Sequence, residues 1–137
     1  MRVILDTNVL VSAIFTRHSL PDRLLDAWYR RKFTLLSSSD QIVEIKRISQ
    51  YPHLAPRLAP WKVGRLINDL REVATIVTGL PLLDVSTDPF DNFLLAMAEK
   101  GQADLLVTGD KSDVLSLGKH RSTRIVSVRS FAEILGL

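Results

Sequence analysis

Short apolar runs alternate with amphipathic segments along the whole chain. Arg2–Leu5 reads as a short buried strand. Asn8–Phe15 reads as a helix that is apolar nearly all round. Leu20–Arg31 reads as a second helix, with Pro21 in its first turn and Leu24, Leu25 and Trp28 forming one apolar stripe. Thr34–Leu36 fits a strand, and the run Ser37, Ser38, Ser39 offers N-caps for a helix over Asp40–Ser49. Ile42, Ile45 and Ile48 mark the inner face of that helix. Pro52, Pro56 and Pro60 punctuate a loop. A helix over Trp61–Val77 and a strand over Leu82–Val85 are expected next. Pro89 opens a helix that Gly101 closes, the usual placement of these two residues. Ala103–Thr108 is a strand, Ser112–Leu117 a short helix ending at Gly118, and Arg124–Val128 the last strand. Ser130 is expected to cap a final helix reaching Leu135.

Apolar strands that alternate with helices predict a parallel sheet covered on both faces. The chain of 137 residues favours one domain spanning 1–137. With 46% hydrophobic residues it can bury a core without staples. Cysteine is absent, which excludes disulfides and thiolate metal sites. The apolar N-terminal run is broken by Asp6 and Asn8, and no small-residue cleavage site follows. No uncharged apolar stretch reaches the ~18 residues that suggest a membrane span. The expectation is a soluble, unexported, cytoplasmic protein with no membrane partner. The net charge of +3 permits a polyanionic partner without requiring one.

Ligands of open parallel sheets bind beyond the carboxyl ends of the strands, so acids just after strands carry the interest. Asp6 directly follows Arg2–Leu5. Asp110 follows Ala103–Thr108 by way of Thr108 and Gly109. Asp88 and Asp91 flank the start of the Pro89 helix. Glu44 lies about one turn into the third helix, beside its apolar stripe. Each acid alone is commonly structural: Asp after a strand is a frequent N-cap, and acids in a first helical turn complement the helix dipole. Asp88 fits the cap role best. Jointly the picture changes, because parallel connectivity gathers Asp6, Asp91, Asp110 and Glu44 at one edge. Like charges at about 4 Å repel by about 4 kcal/mol at an effective dielectric near 20. Such a cluster calls for a cation, and hard oxygen donors without cysteine point to Mg2+ or Mn2+ and not to zinc.

Five segments then resemble, in order and at suitable spacing, those of PIN domains: LDTNVLVSAIF, SSSDQIVEI, DPFDNFLLAMA, ADLLVTGDKSDVLSL and IVSVRSFAEIL. The nearest group looks like the toxin components of bacterial and archaeal toxin–antitoxin pairs. The resemblance places the family's acidic set on Asp6, Glu44, Asp91 and Asp110. It places the accompanying polar residues on Asn8, Asn92 and Thr108, and a further acid on Asp113, which a helix N-cap explains equally well. It implies a three-layer α/β/α fold with a parallel sheet of about five strands, and metal-assisted hydrolysis of RNA phosphodiesters.

In that chemistry Asp6 and Asp91 hold the ion and Asp110 helps directly or through water. Glu44 orients the attacking water, completes the metal shell or accepts a proton. Arg17, His18 and Lys111 are candidate contacts to the phosphate backbone, against the ordinary alternative of solvated surface charge. His18, His53 and His120 are expected to be exposed. An antitoxin encoded nearby is the implied protein partner, with Trp28, Tyr29 and Phe33 as an apolar patch for it and core burial as the alternative for Trp28. A second copy of the chain is a further candidate partner.

Two other classes compete. A dehalogenase-like phosphatase would carry Asp two residues after the first acid, where this chain has Asn8. A phospho-receiver would need a late-strand Lys and an acidic pair near the first strand, which this chain lacks. An inert PIN-like module that binds RNA or protein stays open, and its response to manganese distinguishes it.

Overall fold

A computed structural model of the protein describes residues 1–86, 88–109 and 113–137. The element order is β1 (Arg2–Leu5), α1 (Thr7–Phe15), α2 (Leu20–Tyr29), β2 (Thr34–Ser37), α3 (Ser39–Ser49) and α4 (Pro60–Glu72). There follow β3 (Thr75–Ile76), α5 (Pro89–Gly101), β4 (Leu105–Thr108), a 3-10 turn (Asp113–Leu117), β5 (Lys119–His120), β6 (Thr123–Ser127) and α6 (Val128–Leu135).

The strands form one sheet in the order β3-β2-β1-β4-β6-β5. All neighbours are parallel except the β5–β6 hairpin at one edge. Alternation along each strand sorts the core into two layers. Val3, Leu5, Leu35, Leu105, Val107 and Val126 face one side, where α1, α2, α4 and α6 supply Leu10, Leu24, Leu66 and Phe131. Ile4, Leu36, Leu106 and Ile125 face the other, against Leu94, Leu95, Met97 and Ala98 of α5. Each fully buried Leu or Ile adds about 1.5–3 kcal/mol of transfer free energy, so these strands are held by their flanking layers. The arrangement is the expected three-layer α/β/α fold.

The sheet differs from the expectation in count and edges. Among the described residues it has six strands, where about five were expected, and one antiparallel edge. The strand expected at Leu82–Val85 does not form. Thr75–Ile76 takes the place beside β2, pairing Leu36 with Thr75 and Ser37 with Ile76. Pro81 has no N–H to give a ladder, and Leu82 is fully exposed. The helix expected to run to Val77 stops at Glu72, because Val73, Thr75, Ile76 and Val77 are β-branched and suit extended chain. The last helix is capped by Ser127, whose side chain accepts from Ser130 N, so Ser130 sits inside the first turn.

The sheet's topology fixes where a site can lie. The chain leaves β1 toward β2 on one side and later returns as β4 on the other. A crevice therefore opens beyond the carboxyl ends of β1 and β4, the switch point where such sheets bind ligands.

Candidate active site

Asp6 is the residue immediately after β1. Its backbone N–H donates to Val107 O at 2.8 Å, tying it to the end of β4. Its carboxylate caps α1, accepting from Asn8 N at 3.2 Å, and also accepts from Thr108 Oγ at 2.8 Å. The cap role foreseen for such an acid is thus real, and it fixes the carboxylate at the switch point. Asp6 is only 7% exposed. Burial pushes its pKa up, against the pull of the Thr108 and Asn8 hydrogen bonds.

Glu44 reaches the same crevice from α3. Gln41, one turn earlier, is fully buried and clips α3 to the end of β1. Its amide donates to Leu5 O at 2.8 Å, and its carbonyl accepts from Ser37 Oγ at 2.6 Å. Ser38 caps the helix by accepting from Gln41 N. Glu44 is 6% exposed, not a solvated helix residue. Its Oε2 is buried without a hydrogen-bond partner; Arg47 Nη2 stands 3.9 Å away, beyond hydrogen-bond range. Burial raises the Glu44 pKa, Asp6 and Asp88 add to the rise, and Thr7 and Arg47 oppose it.

Asp91 stands in the first turn of α5 and is 9% exposed. Its pKa is raised by burial first, then by Asp88 and Asp6, with the Ser86 hydroxyl pulling it down. Asp88 is the N-cap of α5, accepting from Phe90 N at 2.9 Å. It also lines the crevice, so the same residue serves as cap and as part of the acidic field.

Asp6, Asn8, Glu44, Asp88, Asp91, Thr108 and Asp113 all line one cleft of about 540 Å³. The other residues singled out from sequence are placed elsewhere. Asn92 faces the segment before α5, accepting from Val85 N and Ser86 N and donating to Ser86 O at 2.8 Å. It pins the entry to that helix and so sets the position of Asp91. Arg17 lines a separate pocket with Tyr29, Trp61 and Arg65, away from the acids. Asp110 and Lys111 lie outside the described residues. His18 and His53 are exposed as expected. His120 is half-buried and pairs with Glu99 at 3.0 Å. Trp28 and Phe33 are core residues, 3% and 6% exposed, and Phe33 packs edge-on to Phe131. Of the expected aromatic patch only Tyr29 reaches the surface, where its hydroxyl donates to Asp69.

Sequence reasoning missed Gln41, Arg47, Tyr51 and Phe90. The last three line the cleft mouth. A signal was available: Gln41, Glu44 and Arg47 are three residues apart, so they share a face of α3.

The donor set suits a hard divalent ion: buried carboxylate oxygens from three elements, one of them without a hydrogen-bond partner. Among the described residues, no three such side chains already stand close enough to one point to hold an ion. Asp6, Asp91 and Glu44 are the described residues that would hold it.

A mostly parallel sheet with buried acids gathered in one cleft beyond the carboxyl ends of its strands defines an α/β domain with an acidic cleft. The chain belongs to the PIN domain family, whose sequence signature matches residues 2–112. It is also similar to an uncharacterised protein of Methanocaldococcus jannaschii, 26% identical over 122 residues, covering 85% of this chain and 75% of that relative. PIN domains are generally nucleases and typically bind divalent metals. Among the described residues no helix is long and apolar enough to cross a membrane.

Proposed function

We propose that the protein is a metal-dependent endoribonuclease, and that it acts as the toxin of a toxin–antitoxin pair. One observation carries the nuclease reading. Three carboxyl groups with raised pKa values are buried at the switch point, and one oxygen of Glu44 has no hydrogen-bond partner. Burying ionisable groups this way is unfavourable unless a ligand compensates.

Asp6 and Asp91 would hold Mg2+ or Mn2+, with Glu44 and Asp110 completing the set. When bound there, such an ion would supply Lewis-acid polarisation of the scissile phosphate and would lower the pKa of the attacking water. Thr108 keeps the Asp6 carboxylate aimed through its 2.8 Å hydrogen bond. Glu44, buried in the same cleft, would orient the attacking water, complete the metal's ligand set or accept the water's proton. The water oxygen forms the new P–O bond, the bridging P–O bond breaks, and the leaving oxygen takes up a proton.

The reading predicts that purified protein cleaves RNA with manganese or magnesium and stops in EDTA. Asp6→Asn, which retains an N-cap side chain, should abolish cleavage with the fold intact. Undiminished cleavage in EDTA or by Asp6→Asn would overturn it. The toxin reading predicts that expression alone slows growth, that Asp6→Asn does not, and that co-expressing the neighbouring gene restores growth. No growth effect from an active protein would remove the toxin role and leave the nuclease.

A further inference from the structure

Arg47 is the only cation among the described residues lining a cleft that holds five acids, Asp6, Glu44, Asp88, Asp91 and Asp113. It is also held unusually well for a surface arginine. Its guanidinium carbon lies 4.3 Å from the centre of the Phe90 ring and 5.4 Å from that of Tyr51. Nη1 donates to the Tyr51 hydroxyl. The head group thus joins α3 to the first turn of α5 across the cleft mouth. The Phe90 ring is 43% exposed although it is large and apolar. It lines the same cleft as Asp88 and Asp91.

We propose that Arg47, Phe90 and Tyr51 form a stacking platform for one unpaired nucleotide of single-stranded RNA next to the scissile phosphate. This rests on the nuclease reading above and adds the residues that would grip the nucleotide. A guanidinium braced on aromatic rings is planar and weakly hydrated, offering a base a stacking face while its edge donates to phosphate. In a duplex the base faces are covered by their neighbours, so only an unpaired base can use the platform. Arg47 also offsets the cleft's negative field where the backbone enters. The Arg47–Glu44 ion pair of 3.9 Å would be exchanged for a guanidinium–phosphate pair, which keeps the Arg47 charge compensated.

The test uses a single-stranded oligoribonucleotide carrying one 2-aminopurine, and the same strand in a duplex. All proteins carry Asp6→Asn to prevent cutting, and magnesium is present. The single strand should bind with quenched fluorescence, and the duplex should bind weakly without quenching. Adding Phe90→Leu or Arg47→Lys should abolish the quenching and weaken binding by about tenfold, whereas Phe90→Trp should keep both. The two substitutions lie on different helices, so a folding defect in one leaves the other decisive. Unchanged quenching and affinity in both, equal behaviour of duplex and single strand, or no binding of the single strand would overturn the platform. If binding and quenching behave as expected while the unmodified protein cuts no RNA with manganese, the hydrolytic reading fails and the platform stands.

Discussion

Asp6 shows how one residue serves fold and chemistry together. Its carboxylate caps α1 and accepts from Thr108, both ordinary structural tasks, yet these same bonds hold it buried at the end of β1. The consequence is a raised folded-state pKa, with burial as the main cause and an ordinary value of 3.8. A carboxyl raised in this way stabilises the fold fully below its unfolded pKa. That contribution is lost as pH rises through the folded pKa. In EDTA, Asp6→Asn should therefore gain stability relative to the parent protein as pH goes from about 4 to 7. Thermal melts of the two proteins across that range give the answer. A difference that stays constant, or that moves against Asp6→Asn as pH rises, would mean that its hydrogen bonds outweigh its burial.

Among the elements, what the sequence made legible tracks burial. β1, β2, β4 and β6 carry apolar runs because both sheet faces are covered, and each was placed within a residue or two of its observed limits. Pro21 and Pro89 lie in the first turns of α2 and α5 as read. β3 and β5 were illegible for a physical reason. Each has two residues at a sheet edge, partly or fully exposed, and leaves no hydrophobic pattern. Leu82–Val85 misled in the opposite sense, as an apolar run outside the sheet with Leu80 and Leu83 leaning on the core layer on the α5 side. At the cleft, strand-end logic found Asp6 and Asp91. It could not foresee that Glu44 is buried, because that depends on Gln41 drawing α3 against β1. The aromatic brace of Arg47 was equally hidden, since Phe90 comes from α5 and only Tyr51, just past the end of α3, is near Arg47 in sequence.

Gly101 gives a test at this same scale. It ends α5 against the sheet, where an added Cβ would stand 2.9 Å from Leu36 Cδ1 and 3.0 Å from Val77 Cγ2. Leu36 is fully buried and Val77 nearly so, so neither can swing away. Gly→Ala inside a helix gains up to about 1 kcal/mol of propensity, whereas overpacking costs about 1–3 kcal/mol. Gly101→Ala should thus be net destabilising, by about 1 kcal/mol, in chemical denaturation. A stabilised variant would show that α5 can move off β2 freely.

For the whole molecule, the parallel sheet brings α1, α3 and α5 to one edge and sets their acids around one cleft. Three of those acids raise one another's pKa or are raised by Asp88. A cation bound in the cleft would relieve that repulsion, and ligand binding to the folded state alone raises stability by mass action. The claim that the cleft is a metal site is tested most directly by thermal melts at pH 7. The parent protein and Asp91→Asn are compared in EDTA and in a few millimolar manganese. The parent should melt higher with manganese. Asp91→Asn should melt higher than the parent in EDTA and lose most of the manganese gain. An Asp91→Asn protein that melts lower in EDTA and keeps the full manganese response would make Asp91 a structural residue of α5 and place the ion elsewhere.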